Sequence, residues 1–153
     1  MPPRDVRPTS ERARQAYFNI VGDRVRGARF LDLFAGTGAF AFEAVSRGAA
    51  EAVAVDSSRK HIAEIESKAT EWSVPVKGVV ADALKYQAGG FDLVFADPPY
   101  DFDRYDDLIA VIDRIDPSLA AIEHRSKNEL APATFIRRAE YGEVWITFFG
   151  RNR

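Results

Sequence analysis

The chain has 153 residues, 46% hydrophobic and 29% charged, which predicts one packed domain and excludes a disordered chain. No apolar run approaches the ~20 residues of a membrane helix, the opening MPPRDVRPTSER lacks the apolar stretch of a signal peptide, and the absence of cysteine excludes disulfides, thiolate metal sites and a thiol nucleophile. Net charge is −2, but residues 1–29 hold seven Arg against three acids, 97–116 seven Asp against two Arg, and 124–153 six Lys and Arg against three acids, so basic ends flank an acidic middle.

In chain order, residues 1–28 read as a basic helical segment, with Thr9 or Ser10 as N-cap, Glu11 in the first turn and an Arg-rich face running to Phe18. Arg29 to Ala35 is a buried strand. Ala39 to Arg47 is a helix stopped by Gly48. Ala52 to Asp56 is a second strand, and Ser57 or Ser58 caps a helix from Arg59 to Trp72 with Ile62, Ile65 and Ala69 on one face. Val76 to Ala81 and Phe91 to Ala96 are further strands, Tyr105 to Ile115 a helix, and Leu119 to Glu123 a fifth strand. Phe135 to Ala139 and Glu143 to Phe149 flank Tyr141-Gly142 as a closing hairpin.

Strands alternating with helices predict an α/β fold, a mostly parallel sheet with an antiparallel C-terminal hairpin, occupying residues 29–153 of a single domain, 1–153. In such sheets ligands bind beyond the carboxyl ends of the strands. Here an Asp stands at or just after four successive ends: Asp32, Asp56, Asp82 and Asp97. The loop Phe34-Ala35-Gly36-Thr37-Gly38 fits G-x-G-x-x-A through Ala41, a spacing for close backbone approach to a nucleotide, and equally a tight strand-to-helix turn. A carboxylate at Asp32 would repel a pyrophosphate and suits a cationic ligand without phosphate. Asp56, 18 residues after Gly38 and followed by Ser57, suits a ribose diol. Asp82, before Ala83, suits either an adenine amino group or a helix N-cap. The set favours S-adenosylmethionine over a nicotinamide dinucleotide.

DLFAGTG followed by FDLVFADPPY resembles the class I S-adenosylmethionine-dependent methyltransferases that modify exocyclic or amide nitrogens. With RPTSERARQAYFNI and GARFLDLFAGTGAFAFEAVSRGA, the chain resembles more narrowly the bacterial small-subunit (16S) ribosomal RNA guanine-N2 methyltransferases (the RsmD type) through Tyr100, and weakly between Tyr105 and Phe135. The resemblance implies a Rossmann-like class I methyltransferase fold and catalysis at Asp97, Pro98, Pro99 and Tyr100. The Asp97 carboxylate and Pro98 carbonyl would hold the N–H groups of an amine, and the prolines would fix the backbone. Tyr100 would stack on the base. Asp32, Phe34 to Gly38, Asp56, Ser57, Asp82, Ala83 and Asp97 would surround the cofactor.

The resemblance also implies that the RPT segment lies by the cofactor's methionine end and the substrate entrance. This makes Arg7, Thr9, Arg12 and Arg14 candidates for RNA contact. His124, at a strand end, is a further candidate for substrate contact, and His61 reads as a surface residue. No metal-ligand cluster and no Ser-His-Asp pattern is present. In the resembled family a basic hairpin ordinarily precedes RPT, an RNA-contacting element that the sequence as given is expected to lack. A compact monomeric enzyme of this kind would draw its specificity from a structured RNA, an rRNA loop in a partly assembled ribosomal subunit. The whole pattern is that of a soluble cytoplasmic protein. DNA adenine, a protein glutamine amide, and a cofactor-binding assembly factor without catalysis remain alternatives.

Overall fold

The computed structural model describes residues 8–151. Seven strands form one sheet: β1 (Arg29–Leu33), β2 (Glu51–Asp56), β3 (Val76–Val80), β4 (Leu93–Ala96), β5 (Leu119–Arg125), β6 (Phe135–Tyr141) and β7 (Val144–Phe149). Their order is β3-β2-β1-β4-β5-β7-β6. The first five are parallel, and β7 runs antiparallel between β5 and β6. The chain builds outward from β1 to β3, then returns to the other side of β1 with β4. The switch in strand order therefore falls between β1 and β4, and both of their carboxyl ends open on the same side.

Helices α1 (Pro8–Val21), α2 (Ala39–Ser46) and α3 (Arg59–Trp72) share one face of the sheet, and α4 (Tyr105–Ile115) covers the other. Strand periodicity fixes this division. Phe30 packs with the first three helices and Leu31 and Leu33 with α4, so Asp32 shares the face of Phe30. Both faces are covered, which is why the parallel strands read as apolar runs rather than alternating ones. On α4, Leu108, Val111, Ile112 and Ile115 are buried at helical spacing, while Asp106 and Asp107 sit in the first turn, where the helix dipole favours acids. On α3, Ser58 is the N-cap, its hydroxyl accepting the His61 backbone N–H at 3.1 Å.

Several boundaries depart from the sequence expectation. β1 ends at Leu33 because Phe34 adopts the left-handed conformation (φ +61°), which no strand can continue. β4 begins at Leu93, and β5 extends to Arg125 because β7 pairs along its whole length. α1 opens at Pro8, whose fixed φ suits a first helical position, so Thr9 and Ser10 stand inside the first turn and neither is the N-cap. No helix among the described residues is long and apolar enough to cross a membrane.

Candidate active site

Two cavities meet above the switch point. The first, about 610 Å³, is walled by Phe34, Asp56, Ser57, Ser58, His61, Ala81, Asp82, Ala83, Asp97 and Pro99. The glycine loop forms its rim. Gly36 (φ +57°) and Gly38 (φ +83°) both hold the left-handed conformation, but they differ in surroundings. A Cβ on Gly38 would stand 3.0 Å from Ile65 Cγ1, so this glycine lets α2 pack on α3. A Cβ on Gly36 would meet nothing within 4 Å and would stand in open space. Gly36 is thus set by its backbone conformation and not by packing. The Asp56 carboxylate pins the loop: one oxygen accepts the Gly36 N–H and the other the Ser58 N–H, each at 2.8 Å. Ala35 donates its N–H to the Val55 carbonyl at 2.9 Å, and Thr37 is exposed on the loop.

Asp32 lies beneath this loop and is 2% exposed. One side of its carboxyl accepts the Ala41 backbone N–H at the start of α2, but Oδ2 has no partner. Burial, and then the Asp97 charge, hold its pKa well above the usual carboxylate range. A buried carboxyl with an unused oxygen suits a cationic group and opposes an anionic one. Asp82 is the N-cap of a short 3-10 turn, its Oδ1 accepting the Leu84 N–H at 2.9 Å, and the residue also walls the cavity. An open glycine loop, acids at three strand ends and the unpartnered Asp32 oxygen fit a cationic, phosphate-free adenosine ligand. They do not fit a dinucleotide.

The second cavity, about 530 Å³, is walled by Asp97, Pro98, Pro99 and Tyr100 from the β4 end, and by Tyr105 of α4. Glu123, His124 and Arg125 of β5 and Tyr141 to Val144 of the β6–β7 turn close it. Asp97 and Pro99 line both cavities. Three acids (Asp97, Glu123, Glu143) face one arginine here, so the chamber favours a donor-rich ligand edge. A chain of edge-to-face rings joins the two chambers. Phe34 meets Phe102 at 5.4 Å, Phe102 meets Tyr105 at 5.0 Å, and Tyr105 meets His124 at 6.0 Å. The left-handed backbone of Phe34 is therefore held by packing at the point where the chambers join.

The expected RNA-contacting residues divide. Arg7 and the side chain of Thr9 lie outside the described residues. Arg12 is exposed on α1. Arg14 is partly exposed, and its Nε donates to Glu43 Oε1 at 2.8 Å, tying α1 to α2. His124 walls the substrate chamber, but both ring nitrogens are used inside the fold. Nδ1 donates to the Arg125 carbonyl at 3.0 Å, and Nε2 accepts the Thr147 hydroxyl at 2.7 Å. It stands in the wall of the chamber with both ring nitrogens engaged by the fold. Sequence reasoning missed Tyr105, Glu123, Arg125, Tyr141 and Glu143. The rule of strand ends could have found Glu123 and Arg125. The hairpin residues reach the site only through the antiparallel return of β7. Among the described residues, no group of three or more acids and histidines could hold a metal ion.

This strand order, with a glycine loop after β1 and DPPY after β4, defines a class I methyltransferase. The chain belongs to the family described as Conserved hypothetical protein 95, which matches residues 1–150. It is 30% identical over 159 residues to Ribosomal RNA small subunit methyltransferase D of Escherichia coli K12, covering 96% of this chain and 80% of that protein. It is 29% identical over 163 residues to the Bacillus subtilis protein named "Putative rRNA methyltransferase YlbH", covering 96% and 89%. Among solved structures, "Putative methyltransferase yhhF from Escherichia coli" matches with a TM-score of 0.85 at 27% identity, over 98% of this chain and 90% of that one.

Proposed function

We propose that this single domain transfers a methyl group from S-adenosylmethionine to an exocyclic amine, guanine N2 of small-subunit ribosomal RNA. The observation that carries the reading is that Asp97 and Pro99 belong to both chambers, so one rigid segment faces cofactor and substrate together. When bound, S-adenosylmethionine supplies a methyl carried on a sulfonium. Gly36 would admit its close approach, Asp32 would face its cationic end, Asp56 the ribose and Asp82 the adenine.

The residues of the second chamber suit the amine. An exocyclic nitrogen is a weak nucleophile because its lone pair is delocalised into the ring. Two acceptors, the Asp97 carboxylate and the Pro98 carbonyl, would hold its N–H groups and aim the lone pair across the shared wall. As the N–C bond forms, the nitrogen carries an extra proton, and Asp97 is the base in reach to remove it. Positioning supplies most of the acceleration. Glu123 favours guanine over adenine, because a second carboxylate in the wall accepts N1–H, a donor that adenine lacks. Tyr100, exposed at the mouth, would stack on the ring. The enzyme would act as a cytoplasmic monomer on an rRNA loop within an assembling subunit; the names of its relatives support ribosomal RNA as the substrate.

The test compares nucleosides of small-subunit rRNA by mass spectrometry from cells with and without the gene. A methylated guanosine is expected to disappear on deletion and return on complementation. An unchanged guanosine profile, or labelled methyl transfer to DNA or protein fractions instead of RNA, would overturn the reading.

A further inference from the structure

The acids of the substrate chamber repel the phosphates of any nucleotide that places its base there, so the phosphates must be met at the rim. Arg14, which the sequence offered for this, stands on α1 and does not line the chamber. At the chamber mouth stand two other cations, Arg125 at the end of β5 and Lys127 just after it. The Arg125 guanidinium lies over the Tyr100 ring, 4.5 Å from its centroid, and Lys127 Nζ is 6.0 Å from the same centroid. Arg125 also donates to Glu143 Oε1 at 2.7 Å. Both ends of this contact are anchored: Arg125 pairs in register with Val144, and the Ser126 N–H donates to the Glu143 carbonyl at 2.9 Å.

A guanidinium is planar and stacks on aromatic faces as a base does. Tyr100 cannot hold Arg125 and a base on the same face. The resting contacts are an exposed cation–π pair and a rim ion pair, with the Glu143 side chain 79% exposed, and both kinds are weak in water. A phosphate offers the same guanidinium a charge-assisted, two-pronged partner. We propose that Arg125 is an exchangeable placeholder that becomes a phosphate clamp. In the free protein it covers Tyr100 and is held by Glu143. When a single-stranded RNA nucleotide enters, it gives the ring to the base and takes the flanking phosphate, with Lys127 beside it. This rests on the RNA reading above.

The test uses the full chain with S-adenosylmethionine and small-subunit rRNA prepared from cells lacking the gene. It measures KM, kcat and the salt dependence of binding to that rRNA. Arg125→Ala is expected to raise KM about tenfold, with a smaller change in kcat, and to reduce the salt slope by roughly 0.7. Arg125→Lys, which keeps charge but not the planar stack, should fall between. Glu143→Gln frees Arg125 and should lower KM about two- to fivefold, a gain that a misfolded variant would not give. In the double variant that gain should vanish, leaving the Arg125→Ala value. An Arg125→Ala variant with unchanged KM and salt slope overturns the placeholder, as does a Glu143→Gln variant with raised KM or additive effects, and both leave the methyltransferase reading standing. A wild-type chain that neither binds nor methylates this rRNA overturns both.

Discussion

Replacing Asp32 by Asn should stabilise the free protein and weaken its hold on the cofactor. Asp32 is 2% exposed, its Oδ2 has no partner, and burial with the Asp97 charge raises its pKa. The unfolded chain ionises this carboxyl near its ordinary value of 3.8, whereas the folded chain retains the proton to higher pH. Between those values the folded state binds more protons, so stability falls as pH rises. Asn keeps the shape and can still accept the Ala41 N–H, but it never ionises. The amide still leaves an unsatisfied group where Oδ2 stands, at about 1–3 kcal/mol, so its advantage is the lost ionisation penalty, about 1.4 kcal/mol for each pH unit between the folded and unfolded pKa values. For a chain of this size each kcal/mol moves Tm by about 2–4 °C.

Asp32→Asn is therefore expected to melt above wild type at pH 7.5, by about 2–4 °C for each kcal/mol of net gain, a gap that shrinks as pH falls toward 4. S-adenosylmethionine affinity should drop about 10- to 100-fold, the worth of one hydrogen bond to a charged group. Thermal melts across pH with calorimetric titration of the cofactor measure both. A variant that melts below wild type at pH 7.5, or that binds the cofactor as tightly as wild type, refutes the assignment of Asp32 as an uncompensated carboxyl awaiting a cation.

Asp97→Ala should lower kcat at least 10²- to 10³-fold, as loss of a preorganised transition-state contact does, while cofactor binding by titration stays within a few-fold of wild type. Gly38→Ala combines left-handed strain with a Cβ 3.0 Å from Ile65 Cγ1, and should cost about 2–4 kcal/mol in urea unfolding. Gly36→Ala has the strain without the clash, so it should cost only about 1–2 kcal/mol while damaging cofactor affinity. Equal costs at the two glycines would contradict the distinction drawn between packing and ligand approach. Burial lowers the pKa of His124, so below about pH 6.5 the unfolded chain takes up a proton that the folded chain refuses. Its contribution is full above pH 6.5 and is lost as pH falls toward the folded value, and the wild-type stability slope over that window should flatten in His124→Gln.

The parallel half of the sheet was legible because buried strands announce themselves as apolar runs and their ends carry the chemistry. Asp32, Asp56, Asp82 and Asp97 could each be placed from the sequence, since a strand end is a local feature. Arg14 could not be placed, because its partner Glu43 is 29 residues away and only helix packing brings them together. The hydrogen bonds of His124 were out of reach for the same reason. Its strand-end position was correct, but Thr147 on the antiparallel neighbour takes up a ring nitrogen. The far wall of the substrate chamber depends on β7 inserting between β5 and β6. That return path has no local signature beyond a hairpin, so Tyr141 and Glu143 stayed out of reach.

The same crowding of acids that burdens the empty protein accounts for what it selects. Asp97 and Asp56 both raise the pKa of Asp32 across the cofactor chamber, and Asp97 raises that of Tyr105 on the substrate side, after burial. Asp97 is thus felt in both chambers. A pyrophosphate would add to this repulsion, whereas a sulfonium and an ammonium relieve it, so the field alone separates the two cofactor classes. On the proposed function, cofactor charge and substrate capture would meet at one carboxylate, and the proline that follows it fixes the backbone, so the segment VFADPPY ends a buried strand on a rigid turn.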